Sequence, residues 1–206
     1  SFVFLFMTTP SAAVGASTAL IARQAIVNSE KSVIGYELFN RSRTPAEHTA
    51  ASDVLLVFTA MTHAGTEDIM GDKLLFVNCT HESLAGGHLE LLDPSKIVLE
   101  IQDLGHSASA EAHLRLPMLE TLKQRGFKLS FGHFVLDSVY AGWLALANYI
   151  KLDLTVLPRD QWLVLIQYAQ KHSTAQLIAA KMETVEQFEL LQQMGIKLFQ
   201  GFWFAR

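Results

Sequence analysis

Apolar residues in this chain alternate between short continuous runs and longer stretches of helical spacing. Leu20 to Val27 and Val33 to Asn40 both read as strands, joined only by Asn28-Ser29-Glu30-Lys31-Ser32. A parallel crossover needs a dozen or more residues, so this link predicts an antiparallel pair. Six further runs follow: Leu74 to Cys79, Ile97 to Ile101, Lys128 to Phe134, Tyr149 to Leu154, Gln176 to Lys181 and Lys197 to Phe202. Runs this short and this apolar are expected of strands buried on both faces.

The stretches between them predict helices before each of those six strands. Thr44-Pro45-Ala46-Glu47 is a capping box with proline at the first helical position, continued by Val54, Leu55, Phe58 and Met61 and stopped at Gly65. Thr184-Val185-Glu186-Gln187 is a second capping box, continued by Phe188, Leu191 and Met194 and closed by Gly195. Trp162, Leu165, Ile166 and Ala169 form an apolar stripe. Pro117 interrupts the pattern from Ala108 to Arg125, so that helix is expected to start or kink there.

Strands alternating with helices predict an α/β fold with a parallel sheet, either doubly wound or closed. Eight strands favour closure into a (β/α)₈ TIM-like barrel with its first strand antiparallel to the rest, and about 200 residues suffice for one. No Gly-rich phosphate loop follows any strand, which weighs against an open nucleotide-binding sheet. One domain is expected over residues 20–206, and residues 1–19 read as an N-terminal arm or a cloning remnant.

Composition narrows the function classes. The chain has 206 residues, 16 Lys+Arg against 20 Asp+Glu, a net charge of −4, 17% charged and 50% hydrophobic residues. A large core is implied and disorder excluded. An acidic balance lacks the basic footprint of a nucleic-acid binder. The single cysteine, Cys79, excludes an internal disulfide, and no Cys/His cluster has zinc spacing. The run from Phe2 to Met7 is far shorter than the about 20 residues of a membrane span, and no basic segment precedes it as in a signal peptide. A cytoplasmic protein with no membrane partner is expected.

Barrel enzymes carry their working residues at the C-terminal ends of strands. Those ends hold Glu37 and Arg41, Asn78, Glu100 and Asp103, Gly132 and His133, Lys151 and Asp153, Ala180 and Glu183, and Gln200. Polar groups ending apolar strands are costly to bury unpaired, so their convergence on one mouth suggests a present or former site.

The segments Arg23-Gln24, Gly35-Tyr36-Glu37-Leu38-Phe39-Asn40-Arg41, Phe76-Val77-Asn78, Val98-Leu99-Glu100-Ile101, Ile150-Lys151-Leu152-Asp153, Glu183-Thr184 and Phe199-Gln200-Gly201-Phe202 occur in the order and spacing of EAL domains. The resemblance runs from about Ile21 to the last residue. Those domains are bacterial phosphodiesterases that linearise cyclic di-GMP. Arg23-Gln24 and Gly35-Tyr36 are most similar to the EAL-like domains that precede an HDOD domain. The resemblance implies a site in which two Mg²⁺ or Mn²⁺ ions activate a water and offset phosphodiester charge. It matches Glu37, Asn78 and Glu100 to metal ligands, Lys151 to the lysine near the attacking water, and Gln200 to a late glutamine. Arg41 matches an arginine on a phosphate of the dinucleotide. Asp103 stands where the family usually has glutamate, Glu183 matches a supporting glutamate, and Asp153 matches the family's aspartate.

The departures from that pattern lie in one place. Gly132-His133 stands where the family has two adjacent aspartates, and Ala180 where it has glutamate. The Gly-rich loop that follows the aspartates is replaced by Phe134-Val135-Leu136-Asp137-Ser138. Glycine offers no ligand, and histidine is a poor one for Mg²⁺. The metal pair is therefore expected to be absent and the site vestigial. Structural roles stand beside the chemical ones: Glu37 and Glu100 pairing with Arg41 or Lys151, Asn78 capping a helix or bonding backbone, Gln200 packing a strand end, and His133 at the rim. The expected function is a non-catalytic signalling domain working through a protein partner, with an HDOD domain among the candidates. Cyclic di-GMP binding without hydrolysis, through Arg41 and Gln200, is the alternative, and an active phosphodiesterase the second alternative.

Overall fold

A computed structural model describes residues 21–40, 71–85 and 87–201. Eight strands close into one barrel in chain order: β1 (Ile21–Asn28), β2 (Val33–Asn40), β3 (Leu74–Cys79), β4 (Ile97–Ile101), β5 (Lys128–Gly132), β6 (Tyr149–Asp153), β7 (Gln176–Met182) and β8 (Leu198–Gly201). β1 pairs antiparallel with both β2 and β8, and every other neighbouring pair is parallel. The short link after Asn28 enforces this hand. The Asn28 side chain accepts from the backbone N–H groups of Glu30 and Ser32, fixing a turn too tight for a crossover.

Among the described residues the outer shell contains α1 (His81–Ala85), α2 (Ala108–Gln124), α3 (Ala141–Leu144), α4 (Trp162–His172) and α5 (Val185–Gln193). The capping box of α5 forms as its sequence predicts, with Thr184 accepting from the Gln187 N–H and Gln187 reaching back to the cap backbone. The first capping box, at Thr44, lies outside the described residues.

Three expectations need correction. α2 does not start at Pro117; it runs 17 residues through it. Pro117 faces outward while Ala112, Leu119 and Leu122 bury the opposite side, so packing outweighs the one lost hydrogen bond. The run Lys128–Phe134 is not one strand, because β5 ends at Gly132 and a 3₁₀ turn occupies His133–Leu136. The connections before β4 and β6 are not long helices. A five-residue α1 and a 3₁₀ segment precede the former, and two 3₁₀ turns with the four-residue α3 precede the latter.

Alternate residues of each strand face inward, and these form layers. Ile26, Phe76, Val98, Tyr149, Ile178 and Leu198 fill the barrel, with the rings of Phe76 and Tyr149 in edge contact at 5.1 Å. Room for Phe76 comes from Gly35, where a Cβ would lie 3.1 Å from that ring and 2.7 Å from the Leu74 carbonyl. The outward residues, such as Leu75, Val77, Leu99, Leu129 and Ile150, form the larger core beneath the helices. Two residues further along each strand, the layer above the apolar one is polar.

Candidate functional site

That upper layer consists of Glu37, Asn78, Glu100, Gly132, Lys151, Ala180 and Gln200, each two residues beyond an interior position of its strand. The sequence expectation that five of these polar residues converge is met. Glu37 is the hub. Its Oε1 accepts from Asn78 Nδ2 at 2.9 Å, and its Oε2 accepts from Lys151 Nζ at 2.8 Å and from Gln200 Nε2. Lys151 Nζ also lies in ion-pair contact with Glu100 Oε1. The same ammonium stands 5.6 Å above the centre of the Phe76 ring. Asn78 is therefore a partner of Glu37 rather than a helix cap; α1 is capped by Thr80, whose hydroxyl accepts from the Ser83 N–H.

Burial makes these contacts strong and their charges interdependent. Burial drives the Glu100 carboxyl up to about 8, and the Glu37 charge beside it adds to the effect while Lys151 opposes it. Burial works the same way on Glu37. There the Lys151 charge and the hydrogen bonds from Glu100, Lys151 and Gln200 win, and its carboxyl falls below the usual range. Burial pulls Lys151 down, but the two glutamates outweigh it and hold the ammonium above its ordinary value. The same surroundings thus push the two glutamates apart, Glu100 upward and Glu37 downward, with the Lys151 ammonium between them.

The ends of β5 and β7 add no charge to it. Gly132 has extended backbone that any residue adopts, with φ −71° and ψ 174°. Its significance is spatial: a Cβ there would sit 3.1 Å from Phe134 Cδ1. Phe134 is held in edge contact with Phe131, Tyr140 and Trp143. Ala180 is buried. Beneath Gly132, the Ser130 hydroxyl is buried without a hydrogen-bond partner among the described residues.

The remaining candidates have separate partners. Asp103 accepts from the Tyr140 hydroxyl and the Gly105 N–H. Burial raises Asp103, but those bonds and, more weakly, His133 bring it below its ordinary value, while burial and Asp103 push Tyr140 up to about 12. Asp153 accepts from the Thr155 N–H and hydroxyl, and its other oxygen takes Lys181 Nζ at 2.6 Å. Glu183 is exposed and contributes its backbone N–H to the α5 cap, so it does not join the cluster. Arg41 lies outside the described residues. Among the described residues no three of His, Cys, Asp and Glu gather as a metal-binding group.

Phe134, Tyr140 and Lys181 were not legible as site residues. Lys181 has φ +60°, a left-handed conformation that side chains rarely adopt, and no local sequence signal announces it.

Comparison with known proteins agrees with the barrel. The family model described as the EAL domain matches residues 82–206, more than half of the chain. The chain belongs to the EAL family. This EAL domain is 24% identical over 198 residues to the cyclic di-GMP phosphodiesterase CdgJ of Vibrio cholerae, covering 92% of this chain and 44% of that protein. The chain spans less than half the length of the curated relatives it matches. A standalone EAL protein of Vibrio cholerae, solved with c-di-GMP bound, superposes with a TM-score of 0.68 at 15% identity, covering 90% of each chain. The Bacillus subtilis YkuI protein, solved with c-di-GMP and calcium, gives a TM-score of 0.66 at 19% identity, over 89% of this chain and 53% of that one. The closed barrel of this EAL domain thus shares its fold with those solved structures. No helix among its described residues is long and apolar enough to cross a membrane.

Proposed function

We propose that this EAL domain is a catalytically silent member of its family that serves cyclic di-GMP signalling through contact with another protein. The observation that carries the reading is the composition of the mouth: two glutamates already bound by one lysine, with no carboxylate from the ends of β5 or β7. Hard divalent ions need several oxygen ligands, and a pair of them needs enough anionic charge to offset their repulsion. Glu37, Asn78 and Glu100 offer three oxygen-bearing side chains, while Gly132, His133 and Ala180 add no oxygen ligand. The volume into which a side chain at Gly132 would grow is taken by the Phe134 ring. These residues do not fit a two-metal centre.

A link to cyclic di-GMP comes from the relatives, whose names and bound ligands carry that nucleotide. Gln200, a candidate contact for it, spends its amide on Glu37. That commitment favours the protein-contact reading over the receptor reading. The partner to test first is an HDOD domain, from the likeness of Arg23-Gln24 and Gly35-Tyr36 to EAL-like domains that precede one. In this chain those residues touch, with the Arg23 guanidinium 4.5 Å over the Tyr36 ring.

Purified protein incubated with cyclic di-GMP and Mg²⁺ or Mn²⁺ is expected to yield no linear pGpG by chromatography. Product that vanishes in Glu37→Ala would sink the silent reading. Calorimetry with the same nucleotide separates the receptor: micromolar binding abolished by Arg41→Ala would replace the protein-contact reading.

A further inference from the structure

We propose that the corner where β4 and β5 enter the barrel, at the end opposite the mouth, is a docking surface for an acidic segment of a partner protein, held by Lys96, Arg125 and Lys128. The inference rests on the reading that this domain works through contact with another protein, and it names the chemistry of that contact.

Four cations meet there. Lys96 directly precedes β4, Lys128 opens β5, Lys123 sits in the last turn of α2, and Arg125 caps the C-terminus of that helix. The parallel pairing of Val98 with Lys128 sets the two strand starts side by side, and Lys128 Nζ donates to the Ser95 carbonyl at 3.2 Å across that seam. Lys96 and Arg125 are exposed, and the Arg125 guanidinium stands 5.4 Å from the centre of the buried Phe127 ring. Lys123 donates to Asn148 Oδ1 at 2.7 Å. Burial and the Lys128 charge together pull Lys123 below its ordinary value, with no carboxylate opposing them. Among the described residues none of the four cations forms an ion pair. Asp93, the acid that feels the Lys96 charge, already accepts from the Ser95 N–H and hydroxyl. The macrodipole of α2 accounts for Lys123 and Arg125, because cations suit a helix C-terminus. It does not account for Lys96 and Lys128, since strand ends carry little dipole. Like charges gathered without a counter-charge repel one another, and an arriving anion relieves that repulsion.

The surroundings of the corner set the size of that anion. The same barrel end carries Glu30 in the β1–β2 turn and Asp72 ahead of β3, and Glu120 lies three residues before Lys123 on α2. A nucleic acid or a bilayer spread across this end would meet those carboxylates, in a chain of net charge −4. A short acidic segment meets only the corner. There Arg125 offers a planar fork to one carboxylate, and Lys96 and Lys128 offer point charges to its neighbours.

The test is fluorescence anisotropy of a fluorescein-labelled oligoglutamate peptide with the full chain, at low and at physiological salt. Wild type is expected to bind the peptide, and more weakly as salt rises. Lys96→Ser, Arg125→Ser and Lys128→Ser together should weaken binding about tenfold. A matched control removes three exposed cations from the β6–β8 side, by Arg159→Ser, Lys171→Ser and Lys197→Ser, and should stay within about twofold of wild type. Should the first variant melt well below wild type, Lys96→Ser with Arg125→Ser alters only exposed side chains and should still weaken binding about fourfold. A wild type that ignores the peptide would overturn the proposal. Equal losses in the corner and control variants would also overturn it, because they mean diffuse attraction alone. So would a single-stranded oligonucleotide, or vesicles containing phosphatidylserine, held more tightly than the peptide through the same three residues; the corner would then serve a nucleic acid or a membrane. The two readings fail differently. Linear pGpG from wild type defeats the silent domain itself, whereas a peptide indifferent to the corner defeats only the surface assigned here.

Discussion

Glu100 lies in the mouth in contact with Lys151, and its carboxyl is pushed up to about 8 because burial and the neighbouring Glu37 both disfavour its charge. In the unfolded chain the same group loses its proton near 4.5. Between those values the folded state holds a proton that the unfolded state has released, so stability falls as pH rises through the window and levels off above it. Glu37 acts in the opposite sense: its lowered value contributes stability above the unfolded value, lost as pH falls through the folded one. Glu100→Gln mimics the protonated form. Denaturant unfolding of both proteins from pH 5 to 8 should show wild type losing on the order of 1 kcal/mol per pH unit relative to the variant. Parallel curves would mean that Glu100 is ionised throughout. Glu37, Asn78, Glu100, Lys151 and Gln200 were legible because each is a polar group set within or near the end of an apolar run. Tyr140 was not, since its bond to Asp103 joins residues 37 apart through a loop with no periodicity.

At the scale of an element, the segment after β5 is where prediction and structure part. Leu129, Phe131 and Phe134 make one apolar stretch, which reads as a strand. Yet Phe134 turns back over Gly132 into a cluster with Phe131, Tyr140 and Trp143. The loop is then fixed at both ends. Asp137 accepts from the Val139 N–H, and Trp143 donates to the Ala112 carbonyl of α2 at 2.8 Å. Such tertiary contacts leave no mark on local spacing, which is why the strand's end was misplaced while its start was not. Gly132→Ala should therefore be destabilising by about 1–2 kcal/mol, since the ring its Cβ meets cannot retreat from a packed cluster. In a Phe134→Ala background that cost should shrink by more than half, and a double-mutant cycle from denaturant melts reads the coupling. Strictly additive costs would show that Phe134 does not occupy the space beside Gly132.

For the whole molecule, closure is the decisive property, and it depends on its shortest strand. β8 has four residues, pairing antiparallel with β1 at Ile26 and Asn28 and parallel with β7. The seam with β7 is irregular between Ala179 and Met182, where Lys181 takes its left-handed backbone and reaches Asp153. The barrel order was legible from the count of apolar runs and one short link; this irregularity was not, because it arises from two backbones meeting. At Gly201 they meet so closely that a Cβ would lie 2.0 Å from the Met182 carbonyl oxygen. No rotamer relieves that overlap, so Gly201→Ala must part the strands. A closed barrel has no edges, and opening it at one seam exposes two, together with the apolar interior and the Gln200 bond to Glu37. The cost should exceed about 3 kcal/mol, well above an ordinary surface substitution. Hydrogen exchange should show lost protection first at the amides of β1 and β8, and thermal melting a lower midpoint. A variant that melts with wild type would mean that the barrel tolerates a wider β7–β8 seam, and that its mouth is held by Lys151 and Glu37 rather than by strand closure.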